Sequence, residues 1–156
     1  MRTRMAVAIL FVLNWVLIYK FMSVVVPIEI QDQKQIQVQQ LINKFHISTK
    51  LANDFYDIGK DNHLDPVLLC SIAQTESSFR LDAVSPKDYK GILQTPVATM
   101  KWADVDILIG VKILKDKLLF SKGDLLKAIQ LYKGGDNPEA LKEAKEVLRI
   151  YNVCKK

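Results

Sequence analysis

Glu76 is the residue whose type and position could do chemistry. The stretch 66–77 predicts a helix, because Asp65 can cap the free backbone N–H groups at its start and Pro66 fills a position that needs no N–H. Glu76 lies seven residues after Leu69, so it falls on the apolar stripe of this helix. Burial and the negative end of the helix dipole both raise the pKa of a carboxyl group placed there. A carboxyl group that keeps its proton near neutral pH can act as a general acid.

The helix end leaves a second interpretation of Glu76 open. Periodicity locates a helix end only to within a residue or two, so the side chain could instead turn toward water. The residues that follow favour the first interpretation. A turn-rich loop over 82–88 leads into the segment Gly91-Ile92-Leu93-Gln94, and Pro96 comes shortly after it.

Four short motifs in a fixed order carry a family resemblance. They are Glu76-Ser77-Ser78-Phe79, Ser85-Pro86, Gly91-Ile92-Leu93-Gln94 with Pro96, and Leu131-Tyr132-Lys133-Gly134-Gly135. Together they resemble the signature of the soluble lytic transglycosylase (SLT) domain of the lysozyme-like superfamily, over about 51–151. The sequence departs from that signature at four points. Leu93 replaces the usual Met, and Lys133 stands where Asn is usual. Tyr89 and Lys90 replace the small residues usual before Gly91, and the spacing from Gln94 to Pro96 is one residue short.

The resemblance implies an enzyme that cleaves the β-1,4 bond between N-acetylmuramic acid (MurNAc) and N-acetylglucosamine (GlcNAc) in peptidoglycan. In such an enzyme the C6 hydroxyl of MurNAc closes a 1,6-anhydro ring, and Glu76 serves as general acid and then as general base. The resemblance also implies that Ser85 and Gln94 contact the sugar and that Tyr132 helps to position Glu76, although a core aromatic also explains Tyr132. It implies no metal and no cofactor. A muramidase that uses water, or a non-catalytic glycan-binding scaffold module, remains an alternative.

Helices are predicted for the whole region that must position these residues. They cover 47–59 with Ser48 as cap, 66–77, 104–120 with Asp104 as cap, 124–133 opened by Asp124, and a last helix opened by Asn137-Pro138. Gly110 inside the third helix predicts a close crossing with another helix. No stretch alternates as a strand does. The predicted fold class is therefore all-α: a lysozyme-like helical domain preceded by one N-terminal transmembrane helix.

The N-terminal stretch from Met5 to Pro27 is almost continuously apolar. A helix of this length covers about 33 Å, enough for a hydrocarbon core of roughly 30 Å. Arg2 and Arg4 precede the run, which places the N-terminus in the cytoplasm and the rest of the chain outside it, on the periplasmic or cell-wall side. A cleaved signal peptide is the rival interpretation. The expected organisation is a signal anchor over 1–27, a Gln-rich stalk over 28–46 and the transglycosylase-like domain over 47–156.

Charge and composition narrow the classes of partner. The chain has 22 Lys and Arg against 17 Asp and Glu, a net charge of +5, which favours anionic partners such as lipid head groups and cell-wall polymers. No helix-turn-helix, zinc-finger or aromatic-interleaved Arg pattern points to nucleic acid. Expected partners are peptidoglycan glycan strands, the membrane, and a secretion, conjugation or phage apparatus. Cys70 and Cys154 could form a disulfide, but two free thiols are slightly favoured.

Overall fold

A computed structural model describes residues 15–20 and 32–156 of the chain. Residues 15–20 are helical, and the compact unit Val38–Lys156 contains the second half of the helix over 32–45 and every later element. In the described ranges no helix is both long and apolar enough to cross a membrane. Most of the predicted membrane-spanning stretch, 5–27, lies outside the described residues, so the signal anchor stays a prediction.

Six helices follow one another from residue 32 onward. They are α1 (32–45), α2 (Thr49–Asp61), α3 (Pro66–Glu76), α4 (Ala103–Phe120), α5 (Leu125–Lys133) and α6 (Pro138–Cys154). Over the described residues there is no strand, only two isolated antiparallel bridges that pair Lys90 with Val84 and with Thr95. The all-α prediction is therefore confirmed for this part of the chain.

Side-chain caps begin four of these helices where the sequence predicts them. Ser48, Asp65, Asp124 and Asn137 each accept a hydrogen bond from a backbone N–H in the first turn of the helix that follows. Two of the helices, α3 and α6, also carry proline in the first turn. Local chemistry thus fixes the start of α2, α3, α5 and α6.

The start of α4 differs from the prediction. Asp104 was expected to cap it, but the helix begins one residue earlier, and the cap residue Trp102 makes no side-chain bond. The buried carboxylate of Asp106 instead accepts hydrogen bonds from the backbone N–H groups of Thr99 and Met100 and from the Thr99 hydroxyl. An acidic residue within the first turn, rather than the cap itself, therefore holds the loop before α4.

The core of the compact unit lies between α3 and the helices that surround it. Its largest fully buried side chains include Phe55, Leu69, Ile72, Ile107, Leu114 and Ile129. Helix α1 adds Leu41 and Phe45, so the second half of the predicted stalk packs into this core. The spacing of apolar residues on α4 predicts that Ile107, Leu108, Val111, Leu114 and Leu118 face inward. Ile107, Val111 and Leu114 are buried, but Leu108 is 51% exposed, because it lies on the opposite side of the helix from Gly110 and Leu114.

Helix α3 is buried from Pro66 to Ala73 except at Val67, and it packs against α2 and α6. A helix that is apolar on nearly every side belongs at the centre of a domain. Glu76 is its last residue, and Ser78 and Phe79 then adopt left-handed backbone conformations with φ of 52° and 63°. The most buried helix of the unit therefore ends on the carboxylate singled out from the sequence.

The two cysteines are free thiols in this structure. Cys70 is buried in α3, and Cys154 lies half-buried at the end of α6. Burial raises the pKa of the Cys70 thiol well above its ordinary value, which keeps the thiol protonated and unreactive. The interpretation of two free thiols is confirmed.

Candidate active site

The side chain of Glu76 is largely removed from water. It is 14% exposed, and one of its oxygens lies 3.1 Å from Nζ of Lys133, a side chain that is only 3% exposed. Glu143 on α6 approaches the same ammonium group at 3.9 Å. Burial raises the pKa of Glu76 above its ordinary value of 4.5, the charge and hydrogen bond of Lys133 lower it, and the charge of Glu143 raises it again. The balance is a raised pKa, as the sequence predicts.

Glu76 opens onto a cavity of about 650 Å³. Residues from the end of α3, the loop before α4, α4 itself and α5 line the cavity: Glu76, Ser85, Pro86, Lys87, Tyr89, Gln94, Thr95, Pro96, Ile113, Lys117, Leu131, Tyr132, Lys133 and Gly134. All four residues predicted from the sequence, Glu76, Ser85, Gln94 and Tyr132, are among them. A volume of this size is typical of sites that bind small molecules or a few sugar units.

The Gln94 side chain is held by the backbone of its own loop. Its amide nitrogen donates to the carbonyl oxygens of Ala83 at 3.1 Å and Gly91 at 2.9 Å. Its backbone is left-handed, with φ of 46°. Because the amide nitrogen is occupied, the amide oxygen is the atom that can accept a hydrogen bond from a ligand hydroxyl.

Ser85 lies in a tight turn at the edge of the cavity. Its hydroxyl accepts a hydrogen bond from the backbone N–H of Tyr89, and its own N–H donates to the Tyr89 carbonyl. The hydroxyl hydrogen of Ser85 therefore remains for a ligand oxygen. The turn is tied back to the rest of the loop, since the N–H of Gly91 donates to the carbonyl of Ala83.

Tyr132 holds the segment that carries Gln94. Its hydroxyl donates to the carbonyl oxygen of Leu93 at 2.7 Å, and burial together with the negative charge of Glu76 raises the pKa of this phenol well above its ordinary value. The donor hydrogen is thus directed at Leu93 and not at Glu76. In this structure Lys133, the next residue along α5, is the group that contacts the Glu76 carboxylate.

Ser77 holds the same segment from the other side. Its buried hydroxyl donates to the carbonyl of Ile92, 15 residues away, at 2.8 Å. Consecutive carbonyls, those of Ile92 and Leu93, are therefore fixed by hydroxyls from α3 and α5. The backbone that presents Gln94 is positioned relative to Glu76 by these two bonds.

Gly110 allows Leu93 and the Tyr132 hydroxyl to lie close to the backbone of α4. A Cβ atom at this position would lie 2.5 Å from Cδ1 of Leu93 and 3.1 Å from the Tyr132 hydroxyl oxygen. The sequence predicts a close crossing with another helix at Gly110, but the nearest neighbour is Leu93 of the loop before α4, and α5 contributes only the hydroxyl of Tyr132. Gly91 is equally constrained, because its φ is +76° and a Cβ there would lie 2.8 Å from a carboxylate oxygen of Asp106.

Comparison with protein-family models found a match to the transglycosylase SLT domain over residues 55–150, which is more than half of the chain. The chain belongs to the transglycosylase SLT domain family. The match includes α3, α4, α5 and every residue that lines the cavity. The comparisons with curated proteins and with solved structures found no match.

Membership of the SLT family confirms the resemblance drawn from the four motifs. The family implies a transglycosylase that cleaves glycans, with peptidoglycan as the polymer that it binds. The lysozyme-like helical architecture that the motifs imply agrees with the helices and with the family match.

Two residues of this SLT domain were not identified from the sequence as parts of the site. Asp106 is not singled out by the sequence patterns, yet it is buried against Gly91 and the loop before α4. Lys133 was noted only as a departure from the usual Asn, yet it is the cation beside Glu76. A lysine in the last turn of a helix is usually solvated and favoured by the helix dipole, so neither the position nor the residue type gave a signal.

Proposed function

We propose that this protein is a lytic transglycosylase that cleaves the MurNAc–GlcNAc β-1,4 bond of peptidoglycan and leaves a 1,6-anhydro-MurNAc end. The supporting observation is that Glu76 is the one carboxylate among the described residues that line the cavity. Hydrolysis by the usual route takes a pair of carboxylates, one as acid and one as nucleophile or base. A site with one such group suits a substrate that supplies its own nucleophile.

The reaction begins with proton donation by Glu76. The protonated carboxyl group gives its hydrogen to the glycosidic oxygen, the bond from MurNAc C1 to that oxygen breaks, and the electron pair leaves with the GlcNAc hydroxyl. Burial favours the protonated starting form of Glu76, and Lys133 stabilises the carboxylate that remains after transfer. The cavity supplies the low-dielectric surroundings in which both effects are strong.

Ring closure uses the same carboxylate as a base. Glu76 accepts the proton of the C6 hydroxyl while the C6 oxygen bonds to C1, so the product carries an internal ether and no water is consumed. The proton accepted from C6 restores the acid form of Glu76 for the next cycle. Ser85 and Gln94, which offer a donor hydrogen and an acceptor oxygen toward the cavity, orient the sugar through its hydroxyl and amide groups.

The proposed substrate also indicates the side of the membrane on which the protein acts. Peptidoglycan lies outside the cytoplasm, and the apolar stretch 5–27 with Arg2 and Arg4 before it provides an export signal of the right orientation. We therefore place the transglycosylase domain on the periplasmic or cell-wall side of a membrane to which the N-terminus anchors it. Accessibility of the domain to protease added outside intact spheroplasts tests this placement.

Mass analysis of digestion products tests the proposed reaction. The full chain, purified in detergent and incubated with purified peptidoglycan, is expected to release muropeptides that end in anhydro-MurNAc, each one water lighter than the product of hydrolysis. Glu76→Gln, which keeps the shape of the side chain and removes the acid, is the matched control and should release them at least about 10²-fold more slowly. Products with reducing ends would overturn the proposal in favour of a muramidase that uses water.

A non-catalytic glycan-binding module is the second candidate, and the contact between Glu76 and Lys133 favours it. A carboxylate and an ammonium group that are both buried and 3.1 Å apart also form a structural ion pair. In that case the wild-type chain would sediment with peptidoglycan and release no muropeptide of either kind. The same digestion, with a sedimentation assay beside it, therefore separates the two candidates.

A further inference from the structure

Lys133 is a buried cation in direct contact with the Glu76 carboxylate. We propose that Lys133, held between Glu76 and Glu143, is a positioning residue that fixes the Glu76 carboxyl group and sets the upper pH limit of glycan cleavage. This inference rests on the proposed function of Glu76 as the general acid.

The geometry constrains Lys133 from three helices. It is the last residue of α5, where Gly134 ends the helix with φ of 146°. Its ammonium group lies 3.1 Å from Glu76 at the end of α3 and 3.9 Å from Glu143 on α6. A buried ammonium group needs such carboxylate partners, because without them its desolvation is not compensated. Lys133 thus joins the ends of α3 and α5 to α6.

The two carboxylates differ in their exposure to water. Glu143 is 49% exposed, whereas Glu76 is 14% exposed, so solvent screens the interaction of Lys133 with Glu143 more strongly. The shorter and more buried contact is the one with Glu76. The ammonium group therefore acts mainly on Glu76, and Glu143 serves as its second support.

Charged and titratable groups from every neighbouring element face the Glu76 carboxyl group or its cavity. They are Lys133 and Tyr132 from α5, Glu143 from α6, Lys117 from α4, and Lys87 and Tyr89 from the loop before α4. Of these, Lys133 lowers the pKa of Glu76 and Glu143 raises it. The two side chains act in opposite directions on one carboxyl group, which makes them a matched pair for mutation.

The opposite effects of Lys133 and Glu143 on the pKa of Glu76 bear on both steps of the reaction. Lys133 stabilises the carboxylate form, so it makes Glu76 a stronger acid toward the glycosidic oxygen and a weaker base toward the C6 hydroxyl. It also lowers the pH above which Glu76 has lost its proton and cleavage fails. A neutral amide such as the usual Asn would leave burial nearly unopposed, so the alkaline limit would lie higher.

The pH dependence of kcat/KM for anhydro-muropeptide release tests the inference with the full chain. In Lys133→Gln we expect the alkaline limb to move upward by about one to three pH units, the shift typical when an opposite charge beside a carboxyl group is removed. Lys133→Arg keeps the charge and should restore the wild-type limb. In Glu143→Gln the limb should move downward, by less, because Glu143 is more distant and half-exposed.

A second measurement does not depend on activity. Titration of the Glu76 carboxyl carbon by NMR in the free protein should show the same order of midpoints: Lys133→Gln above wild type, and Glu143→Gln below it. If Lys133→Gln does not fold, Glu143→Gln still gives a shift of the opposite sign to measure. Unchanged limbs and midpoints in both variants would overturn the inference and leave the proposed function standing.

Failure of the proposed function gives a different result. A wild-type chain that releases no anhydro product overturns the catalytic role of Glu76 and, with it, the effect of Lys133 on the reaction. An active wild-type chain whose alkaline limb stays in place in Lys133→Gln overturns only the role of Lys133. The two failures are therefore distinguishable in one series of assays.

Discussion

The two ends of α3 each present a carboxylate to a lysine at almost the same distance, but the two sites differ in character. Asp65 at the N-terminal end lies 3.2 Å from Nζ of Lys155, and Glu76 at the C-terminal end lies 3.1 Å from Nζ of Lys133. The first pair is open to water, with side chains 30% and 58% exposed, whereas the second is buried. The distance between carboxylate and ammonium group alone thus does not distinguish a structural ion pair from the proposed catalytic one.

Hydrogen bonding and the helix dipole also stabilise an ionised carboxylate differently at the two ends of α3. Asp65 accepts bonds from the backbone N–H of Val67 and from the Tyr151 hydroxyl, and it lies at the positive end of the helix dipole. Glu76 lies at the negative end, and among the described residues its one close polar contact is Lys133. The carboxylate form is therefore well stabilised at Asp65 and poorly stabilised at Glu76. The proposed general acid therefore lies at the end of α3 where ionisation of a carboxyl group is less favoured.

The largest expected effect is on the rate of cleavage, and it should differ between the two carboxylates of α3. Glu76→Gln should lower the rate of anhydro-muropeptide release by about 10²- to 10⁴-fold, the range that general acid–base catalysis contributes. Asp65→Asn, the same change at the other end of α3, should leave the rate within about twofold of wild type, because its partners support the fold and do not line the cavity. Equal losses in the two variants would contradict the contrast between the ends.

A clash beside the proposed catalytic end of α3 should affect both stability and activity. Gly110→Ala places a Cβ atom 2.5 Å from the Leu93 side chain, and such overpacking costs about 1–3 kcal/mol of unfolding free energy even though alanine favours a helix. The segment that presents Gln94 should move, and release of muropeptides should fall. Chemical denaturation and the digestion assay measure the two effects.

Gly123→Ala is the control for a glycine change without a clash. No heavy atom lies within 4 Å of a Cβ built there, but φ is +85°, so the variant should lose about 1 kcal/mol from backbone strain alone. Its activity should remain that of wild type at a temperature where both are folded. A loss of activity equal to that of Gly110→Ala would mean that packing beside Leu93 is not the cause.

Two tyrosines provide a smaller, matched test of the same contrast. Tyr132→Phe removes the bond to the Leu93 carbonyl, and Tyr151→Phe removes the bond to Asp65. Each should cost about 0.5–1.5 kcal/mol of unfolding free energy, measured by denaturation, with the larger value for the buried Tyr132. Only Tyr132→Phe should also slow muropeptide release, since only that bond holds the segment beside Gln94. Slower release in Tyr151→Phe would contradict the predicted difference between the two ends of α3.

The smallest expected effect is on the pH dependence of stability. Because the pKa of Glu76 is raised in the folded state, the native protein binds this proton more tightly than the unfolded chain does. Its contribution is fully present below the unfolded pKa of about 4.5 and is lost as pH rises through the folded pKa. Denaturation from pH 4 to 8 should therefore show Glu76→Gln gaining stability relative to wild type as pH rises. A constant difference between the two would exclude a raised pKa.

Much of the fold follows from local sequence signals in this chain. Asp65 with Pro66, Asp124, and Asn137 with Pro138 start their helices where a side-chain oxygen can accept the free N–H groups. The apolar spacing on α3 placed Glu76 on a buried face, and Gly110 indicated a close approach. These features depend on residues within a turn or two of one another, and one-dimensional patterns contain that information.

What the sequence by itself determined is the series of helices, the family and the carboxylate at the end of α3. Only the tertiary structure decided which side chains surround that carboxylate. Lys133 reaches Glu76 across 57 positions of chain, the Tyr132 hydroxyl meets Leu93 across 39, and the Ser77 hydroxyl bonds Ile92 across 15. Helical periodicity gives the face of the helix on which a residue lies. It does not give the partner of that residue, which depends on how α3, α5 and the loop before α4 pack together. The electrostatics of the site are for this reason a property of the packed molecule.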